Sequence, residues 1–282
     1  MKNVLLYPNP TRDTDLQVTK DTAKALSHLG FSVHISSDFF IGDGFTYYRE
    51  RPSASCDLMI VIGGDGTLID AMPTALALDL PILGINLGKV GYLNELEPSE
   101  LSLLMALRDG NYTVEERLLM DAEVSVGGVC QHHAFPMLND LVVSRKIENS
   151  IATLRVRYNG SKALDYRADG VVISTPLGST AYALSCGGPM LAHELQAISL
   201  TPICAHSFIN RSMVFPDNAL IEVENLGEHS LVVIADGRTF AELPNGAVCS
   251  VKKSKSTLKM ISIKGAGHLQ SIFKKLRKIQ NF

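Results

Sequence analysis

The chain of 282 residues has no tryptophan, only 6% aromatic residues, and no hydrophobic run close to the roughly 18 residues that a membrane-spanning helix needs. The apolar stretch at residues 4–7 is too short for a secretory signal peptide. The five cysteines are scattered and form no CxxC pair, so neither a zinc ribbon nor a disulfide framework is indicated. These absences predict a cytoplasmic protein without a membrane partner.

Charge is distributed unevenly along the chain. All 29 acidic residues precede residue 251, whereas nine of the 26 basic residues lie in residues 251–282. The bulk of the chain lacks the basic excess of nucleic-acid-binding domains, so we expect no nucleic-acid partner. Residues 271–281 place Ile272, Leu276 and Ile279 on one helical face, which predicts a C-terminal helix docked by that face. A helix on a membrane surface or on nucleic acid is the alternative.

The first part of the chain alternates strand and helix patterns. Continuous apolar runs at 58–62 and 82–85 are typical of parallel strands that are covered on both faces. Residues 18–29 show helical spacing and end at a glycine. We therefore predict an open, mostly parallel α/β domain over residues 1–113.

The pattern changes near Val114, where helical spacing fades and strand patterns begin to dominate. An alternating run ends at Asn159-Gly160, which is the strongest short signal for a hairpin turn. We predict a β-rich domain over residues 114–264, followed by a basic tail at 265–282.

The apolar run at 58–62 is followed directly by Gly-Gly-Asp-Gly-Thr at residues 63–67. Glycines at these positions let backbone N–H groups approach a phosphate closely. The carboxylate of an aspartate in such a loop repels phosphate, so its presence indicates a chemical role. Asp65 can bind Mg²⁺ or accept a proton from an attacking hydroxyl. The alternative is a tight turn in which Asp65 caps the following helix.

A second polar cluster surrounds the predicted strand at 171–174. Asp169 precedes this strand and can accept hydrogen bonds from sugar hydroxyls or from an exocyclic amine. A hydroxyl-rich run follows it, where Thr180 and Tyr182 can bond the polar edges of a ligand and the Tyr182 ring can stack on it. A plain Ser/Thr-rich turn is the alternative, but the apolar flanks favour a lined cleft.

Two shorter polar motifs complete the set. Asn139-Asp140 interrupts an apolar strand predicted over residues 137–143. Strand alternation sends the two side chains to opposite faces, so at least one is expected to be buried, unless the pair marks a bulge or a strand end. Asp236-Gly237-Arg238 follows a predicted strand and is typical of a hairpin turn.

Together these motifs closely resemble those of NAD kinases, enzymes that phosphorylate the 2′-hydroxyl of the adenosine ribose of NAD to give NADP. The resemblance covers nearly the whole chain in the right order, with residues 63–67, 86–93, 138–140 and 166–189 as its main stretches. Gly-Gly-Asp-Gly alone also occurs in lipid kinases and phosphofructokinases. Joined to the other stretches, it is specific.

The resemblance implies roles for individual residues. It implies that Asp65 is the catalytic aspartate and that Gly64 and Gly66 place backbone donors against the phosphates. It also implies that the tail helix returns to the first domain. The residues that it implies for ligand binding, mainly of NAD, are Asn139, Asp140, Arg167, Asp169, Thr180, Ala181, Tyr182, Ser185 and Arg238.

The resemblance further implies ATP as the phosphoryl donor, together with Mg²⁺ or another divalent cation, and some members accept inorganic polyphosphate. It implies a homodimer or homotetramer whose sites are built partly from a neighbouring subunit. Two residues depart from the family pattern. Asp70 stands where many members carry a basic residue, and Arg238 stands where glutamine is frequent. Because a carboxylate cannot contact phosphate directly, Asp70 bears on the choice of donor.

Three other functions fit parts of the sequence. A lipid kinase can share the Gly-Gly-Asp-Gly loop, but it needs an apolar cleft, whereas residues 166–185 are rich in hydroxyls and charge. A non-catalytic NAD(P) sensor can share the scaffold, although Asp65 is present. An adaptor that acts through its basic tail predicts that removal of residues 271–282 abolishes binding and leaves folding intact.

Overall fold

The computed structural model describes residues 1–49, 55–89, 91–146, 151–206 and 210–265. These residues form two compact units. The first contains Met1–Glu116 and the described residues from Leu258 onward, and the second contains Arg117–Thr257. The predicted tail helix and its return to the first domain lie outside the described residues. No helix in the described part of the chain is long and apolar enough to cross a membrane.

The first unit is built on a parallel sheet with the strand order β3-β2-β1-β4-β5. Its β4 is buried at every residue, as its continuous apolar sequence predicts. A 3₁₀ helix, Pro98–Leu104, precedes the short α3. The element bounds are β1 Asn3–Pro8, α1 Gln17–His28, β2 Ser32–Ser36, β3 Thr46–Tyr48, β4 Leu58–Gly63, α2 Asp65–Ala77, β5 Ile82–Asn86 and α3 Met105–Asp109.

The strand order of this sheet reverses at β1. The chain first builds outward through α1 to β2 and β3, and then returns to place β4 on the other side of β1. In open α/β sheets, ligands bind at such a switch point, beyond the carboxyl ends of the strands. The residue after β1 lies against the end of β4 and the first turn of α2 there, because the Asn9 N–H donates to the Ile62 carbonyl over 2.9 Å and its side chain donates to the Thr67 hydroxyl over 2.7 Å.

The second unit contains an antiparallel sheet with the order β13-β12-β11-β8-β15-β16. Strands β9, β10, β14, β6 and β7 pair in a second layer with the first part of β17. Residues of both layers share one buried apolar core, which includes Val143 and Ile173 from the first sheet and Val156 and Val223 from the second. Alternating burial along β14 and β15 follows from one face of each strand lying on this core.

The strands of the second unit have the following bounds: β6 Thr113–Val126, β7 Val129–His132, β8 Asp140–Arg145, β9 Ala152–Tyr158, β10 Ser161–Ala168, β11 Gly170–Ser174, β12 Ala197–Ile203, β13 Met213–Pro216, β14 Ile221–Asn225, β15 Leu231–Ala235, β16 Arg238–Leu243 and β17 Val248–Ser262. The first four residues of β6 and the last five of β17 belong to the first unit. A single-turn helix, α4, spans Tyr182–Ser185.

The predicted fold class is confirmed, since a parallel α/β sheet is followed by a β-rich unit. The predicted hairpin turn is also present, with Asn159 and Gly160 at φ values of 48° and 76° between β9 and β10. The strand predicted over 137–143 begins only at Asp140, so the Asn139-Asp140 pair marks a strand end and does not interrupt a strand.

Candidate functional site

The Gly-Gly-Asp-Gly-Thr segment at residues 63–67, called the glycine loop below, joins the end of β4 to the first turn of α2. Gly64 is the extended residue before the helix, and Asp65 is the first helical residue, so the aspartate does not cap the helix. A Cβ at Gly63 would lie 2.4 Å from Thr67 Oγ1, which leaves no room for another residue there. The first N–H groups of a helix have no partner within it, and together with the helix dipole they form an anion site.

Three donors hold the Asp65 carboxylate in one orientation. The backbone N–H of Tyr92 donates to Oδ2 over 2.9 Å, and that of Leu93 donates to Oδ1 over 3.0 Å. The side-chain amide of Asn94 donates to Oδ1 over 2.9 Å. Asp65 is half-buried, so part of its carboxylate stays accessible at the end of the glycine loop. The sequence analysis did not single out Asn94.

A buried asparagine shapes the loop that supplies these donors. Asn86 accepts a hydrogen bond from the Gly88 N–H over 2.8 Å and donates to the Gly88 carbonyl over 3.2 Å. Gly91 has a φ of 66°, and a Cβ there would lie 2.3 Å from Asn86 Cγ, so only glycine fits. A Cβ at Gly88 would lie 3.6 Å from Gly64 Cα, which places this loop directly against the glycine loop.

In the second unit, one carboxylate organises the Leu138-Asn139-Asp140 segment. Asp236 accepts hydrogen bonds from the backbone N–H groups of all three residues, over 2.7, 2.8 and 3.0 Å. Its own N–H donates to the Asp140 carbonyl over 2.9 Å. Asp236 and Gly237 have φ values of 44° and 79°, so the predicted hairpin turn is present. Asp236 also fixes the Leu138-Asn139-Asp140 segment, a role that the sequence analysis did not predict.

The hydroxyl-rich run packs against the same segment. The Thr175 hydroxyl donates to the Leu138 carbonyl over 2.6 Å, and the Thr175 N–H donates to the Asn139 carbonyl over 2.9 Å. A Cβ at Gly178 would lie 1.9 Å from that same carbonyl oxygen. The Tyr182 N–H donates to the Asp140 carboxylate. The structure therefore brings Asn139 and Asp140 together with the start of α4.

Around this segment the predicted ligand contacts differ in exposure. Tyr182 is 46% exposed, and Ser185 is exposed on the same short helix. Ala181 is half-buried, whereas Thr180 is buried and donates its hydroxyl to the Leu177 carbonyl over 3.0 Å. The Thr180 hydroxyl thus shapes the turn first, and the tyrosine ring is the accessible group.

A buried carboxyl group, Asp140, and a half-buried one, Asp236, interact at this point. Asp140 is 6% exposed, and burial raises its pKa to about 7, with the negative charge of Asp236 adding to the effect. Burial also raises the pKa of Asp236, but its three N–H donors oppose that shift. Of the two, Asp236 is the better stabilised anion, and Asp140 is the group that gains and loses a proton near neutral pH.

Asp169 lies next to the opposite end of β8, and Arg167, on β10 of the second layer, lines the same cavity. A cavity of about 440 Å³ is lined by Arg145, Ile151, Arg167, Asp169 and His206. Arg145 Nε contacts Asp169 Oδ1 over 2.6 Å, an ion pair that the sequence analysis missed. Asp140 and Arg145 are the two ends of β8, so the two groups of predicted ligand residues are about 17 Å apart along the strand.

Arg238 and His206 are both exposed. Arg238 is exposed at the start of β16, directly after the Asp236-Gly237 turn. His206 is exposed at the cavity that Arg167 also lines. The apolar residues around it in the sequence suggested a buried position, but β12 ends before His206.

Comparison with known proteins identifies the family. Residues 2–110 match the model of the ATP-NAD kinase N-terminal domain, and residues 138–263 match that of the ATP-NAD kinase C-terminal domain. The chain belongs to the NAD kinase family. The matched ranges contain both the glycine loop and the Asn139-Asp140 segment.

Relatives cover the chain over nearly its full length. An NAD kinase of Clostridium perfringens strain 13 is 37% identical over 99% of this chain and 100% of its own length. An NAD kinase of Natranaerobius thermophilus is 31% identical over 98% of both chains. Among solved structures, an NAD kinase from Archaeoglobus fulgidus in complex with ATP superimposes with a TM-score of 0.71 at 25% identity, over 98% of this chain and 99% of that one. A yeast NADH kinase complexed with NADH superimposes with a TM-score of 0.82 at 21% identity, over 98% and 87%, and shows the same fold.

Replacing Gly178 by alanine is expected to destabilise the protein. The new Cβ would need the space that the Asn139 carbonyl occupies, and such overpacking costs about 1–3 kcal/mol. Denaturant unfolding measures the loss, with Gly227→Ala as the control, because a Cβ at Gly227 meets its nearest neighbour at 3.4 Å. Equal stability of the two variants would contradict the tight packing at Gly178.

The buried acid Asp140 predicts a specific pH dependence. Its pKa is about 7 in the folded protein and near 3.9 when unfolded, so the folded state binds the extra proton between these values. Stability that this proton contributes is therefore lost as pH rises from about 4 to about 7. We expect Asp140→Asn to be the more stable protein at pH 8, by on the order of 2–4 kcal/mol, and to lose this advantage toward pH 5. Urea unfolding at several pH values tests this, and a difference that is constant with pH would refute it.

Proposed function

We propose that this protein is an NAD kinase that transfers the γ-phosphoryl group of ATP to the 2′-hydroxyl of the adenosine ribose of NAD, giving NADP, with Asp65 as its catalytic residue. The observation that carries this role is the Asp65 carboxylate itself. It sits at the first turn of α2, beside a glycine loop, and three donors fix its orientation. Family membership supplies the reaction, and this geometry supports the assignment of the aspartate.

The proposed mechanism depends mainly on positioning. Phosphoryl transfer passes through a loose transition state, so the enzyme gains most by aligning the two oxygens and neutralising charge. The N–H groups at Gly64 and Gly66 bind the phosphates. Asp65 orients the 2′-hydroxyl and accepts its proton as the new oxygen–phosphorus bond forms and the bond to the β-phosphate breaks. Orientation contributes as much as basicity, because an aspartate is a weak base for a ribose hydroxyl.

We propose that a divalent cation enters with ATP. The described residues contain no cluster of three or more side chains that fit a metal ion by themselves. Mg²⁺ usually binds through one or two carboxylates and several phosphate oxygens, and Asp65 offers one carboxylate at the glycine loop. When bound, Mg²⁺ offsets the repulsion between that carboxylate and the phosphates.

The second unit is proposed to hold NAD. Asn139 and Asp140 form its polar floor, with Asp236 as the positioning residue beneath them. Tyr182 offers a half-exposed ring for stacking, and Ala181, Thr180, Ser185 and Arg238 surround the segment. At neutral pH the partly protonated Asp140 can donate to a ligand nitrogen or accept from a hydroxyl, which suits an adenosine edge.

We also propose that a second subunit completes each site. Asp169 and the cavity that it lines together with Arg167 lie at the far end of β8, about 17 Å along the strand from Asp140. A cavity with two arginines, a carboxylate and a histidine at that end suits a charged or hydroxyl-rich part of a ligand bound mainly by a partner. A homodimer or homotetramer with shared sites places both groups on one NAD molecule.

The role of Asp65 is tested by Asp65→Asn. We expect kcat to fall by about 10²- to 10⁴-fold, with smaller changes in the KM values, because the orienting group and proton acceptor is lost. NADP formation from NAD and Mg-ATP is read through an NADP-specific dehydrogenase, beside Asp43→Asn as an exposed control. If Asp65→Asn keeps more than a tenth of wild-type kcat, Asp65 is not the catalytic residue.

Shared sites are tested by complementation. Asp65→Asn and Asp169→Ala are co-expressed with different tags, and mixed oligomers are purified by both tags. Each variant alone is expected to be nearly inactive. A mixed dimer with shared sites regains one intact site of two, so about half of wild-type activity returns. No recovery in the purified mixed oligomer would show that each site belongs to one chain.

A further inference from the structure

A cavity of about 450 Å³ lies in the first unit, next to the glycine loop, and the mechanism above makes no use of it. It opens at the carboxyl ends of β1, β2 and β3, on the side of the switch point away from β5. Its volume lies in the range of small-molecule sites. The polar and charged residues that matter for its chemistry are Asn9, Asp38, Tyr48, Arg49, Thr67 and Asp70.

The cavity and the glycine loop share a helix and a hydrogen bond. Thr67 and Asp70 line the cavity from one face of α2, the helix that begins at Asp65. Thr67 Oγ1 accepts a hydrogen bond from the Asn9 side chain over 2.7 Å, which ties the floor of the cavity to the loop after β1. A molecule whose phosphates lie on the glycine loop therefore has the cavity directly beside it.

An exposed arginine faces the glycine loop at this point. Arg12 Nε and Cζ lie 3.6 and 3.7 Å from the position that a Cβ of Gly64 would occupy. No salt bridge joins Arg12 to any residue in the described part of the chain. The next residue fixes the segment, since the Asp13 carboxylate accepts hydrogen bonds from the N–H groups of Val18 and Thr19 over 3.1 and 2.8 Å. Arg12 is thus a held, available cation beside the proposed phosphate site.

The charge of the cavity wall differs from that of Arg12. Its charged residues are Asp38, Asp70 and Arg49, which together carry no net positive charge. Asp38 is held by the Ser36 hydroxyl over 2.9 Å, and Tyr48 adds an aromatic ring. Carboxylates repel a polyphosphate chain, but they accept hydrogen bonds from ribose hydroxyls and an exocyclic amine, and a tyrosine ring stacks on a base.

We propose that this cavity binds the nucleoside of the phosphoryl donor, with Arg12 on its phosphates, and that Asp70 thereby selects a nucleoside triphosphate over inorganic polyphosphate. This inference rests on the proposed kinase function. It also explains the departure at residue 70. Arg12 supplies the positive charge beside the phosphates. Asp70, at the position on α2 that is basic in many relatives, faces the nucleoside instead.

Asp70→Arg is the central test, with Asp43→Arg as the matched control. Both residues are exposed and both changes add two positive charges, but Asp43 does not line the cavity. With ATP, we expect Asp70→Arg to raise KM at least tenfold with a smaller effect on kcat. With inorganic tripolyphosphate, we expect the ratio of its kcat/KM to that of ATP to rise at least tenfold. Asp43→Arg should leave both quantities within twofold of wild type. A donor ratio in Asp70→Arg equal to that of the control overturns the proposal.

Arg12→Gln separates the two parts of the donor site. Because Arg12 is assigned to the phosphates, its loss should lower kcat/KM at least tenfold for ATP and for tripolyphosphate alike, leaving their ratio unchanged. A loss confined to ATP would overturn the assignment of Arg12. Unchanged kinetics with both donors would do the same.

A binding measurement keeps this proposal separate from the proposed reaction. Isothermal titration of ATP and of tripolyphosphate into wild type, Asp70→Arg and Asp70→Asn needs no turnover. We expect ATP to bind wild type at least tenfold more tightly than it binds Asp70→Arg, with Asp70→Asn between them. If wild type forms no NADP but shows this order, the reaction is wrong and the cavity assignment stands. Equal ATP affinity in all three proteins overturns the cavity assignment, whether or not NADP is formed.

Discussion

Three hydrogen bonds to the Asp65 carboxylate organise the candidate site of the first unit. Two come from backbone N–H groups, so the backbone after β5 must lie at a fixed distance from the start of α2. Gly84 and Gly91 have no Cβ because Asn94 and Asn86 fill that space, with Cβ distances of only 2.3 Å to each amide group. A carboxylate that is held from one side presents its free lone pairs to a substrate in a defined direction.

In the second unit, too, a carboxylate that accepts three hydrogen bonds holds a segment in place, but here it also raises the pKa of a neighbouring carboxyl group. Asp236 fixes a strand end through three consecutive N–H groups, which places Asp140 beside it in a buried position. Burial, with the negative charge of Asp236 adding to its effect, raises the pKa of Asp140 to about 7. The raised pKa of Asp140 lowers the free energy of unfolding at neutral pH and leaves a titrating group at the proposed adenosine site. Such destabilising groups are typical of functional sites and rare in a purely structural core.

Local sequence patterns predicted the strands and turns well, but they could not predict contacts between residues that are far apart in the sequence. The continuous apolar sequence of β4 and the Asn159-Gly160 turn are determined by residues within the segment, so both predictions are confirmed. The contacts of Asp236 join residues about a hundred positions apart, and nothing near Asp236 in the sequence distinguishes its carboxylate from that of an ordinary hairpin turn. Asn94 and Arg12 were missed for the same reason. His206 is exposed although its neighbours in the sequence are apolar, because apolar neighbours do not guarantee a buried position once a strand has ended.

An acidic chain that binds the phosphates of ATP needs a local solution to charge repulsion. Its formal net charge is −3, so a general electrostatic attraction does not bring anions to the site. The glycine loop answers this with backbone dipoles, which carry no formal charge, and helix α2 adds its own dipole at the same point. One cationic side chain beside Gly64 then acts together with the proposed divalent cation, and the carboxylates of Asp65 and Asp70 can serve orientation and nucleoside recognition. A basic residue at position 70 would strengthen the pull on any phosphate chain, whereas the carboxylate leaves the phosphates to the loop and makes the donor depend on its nucleoside.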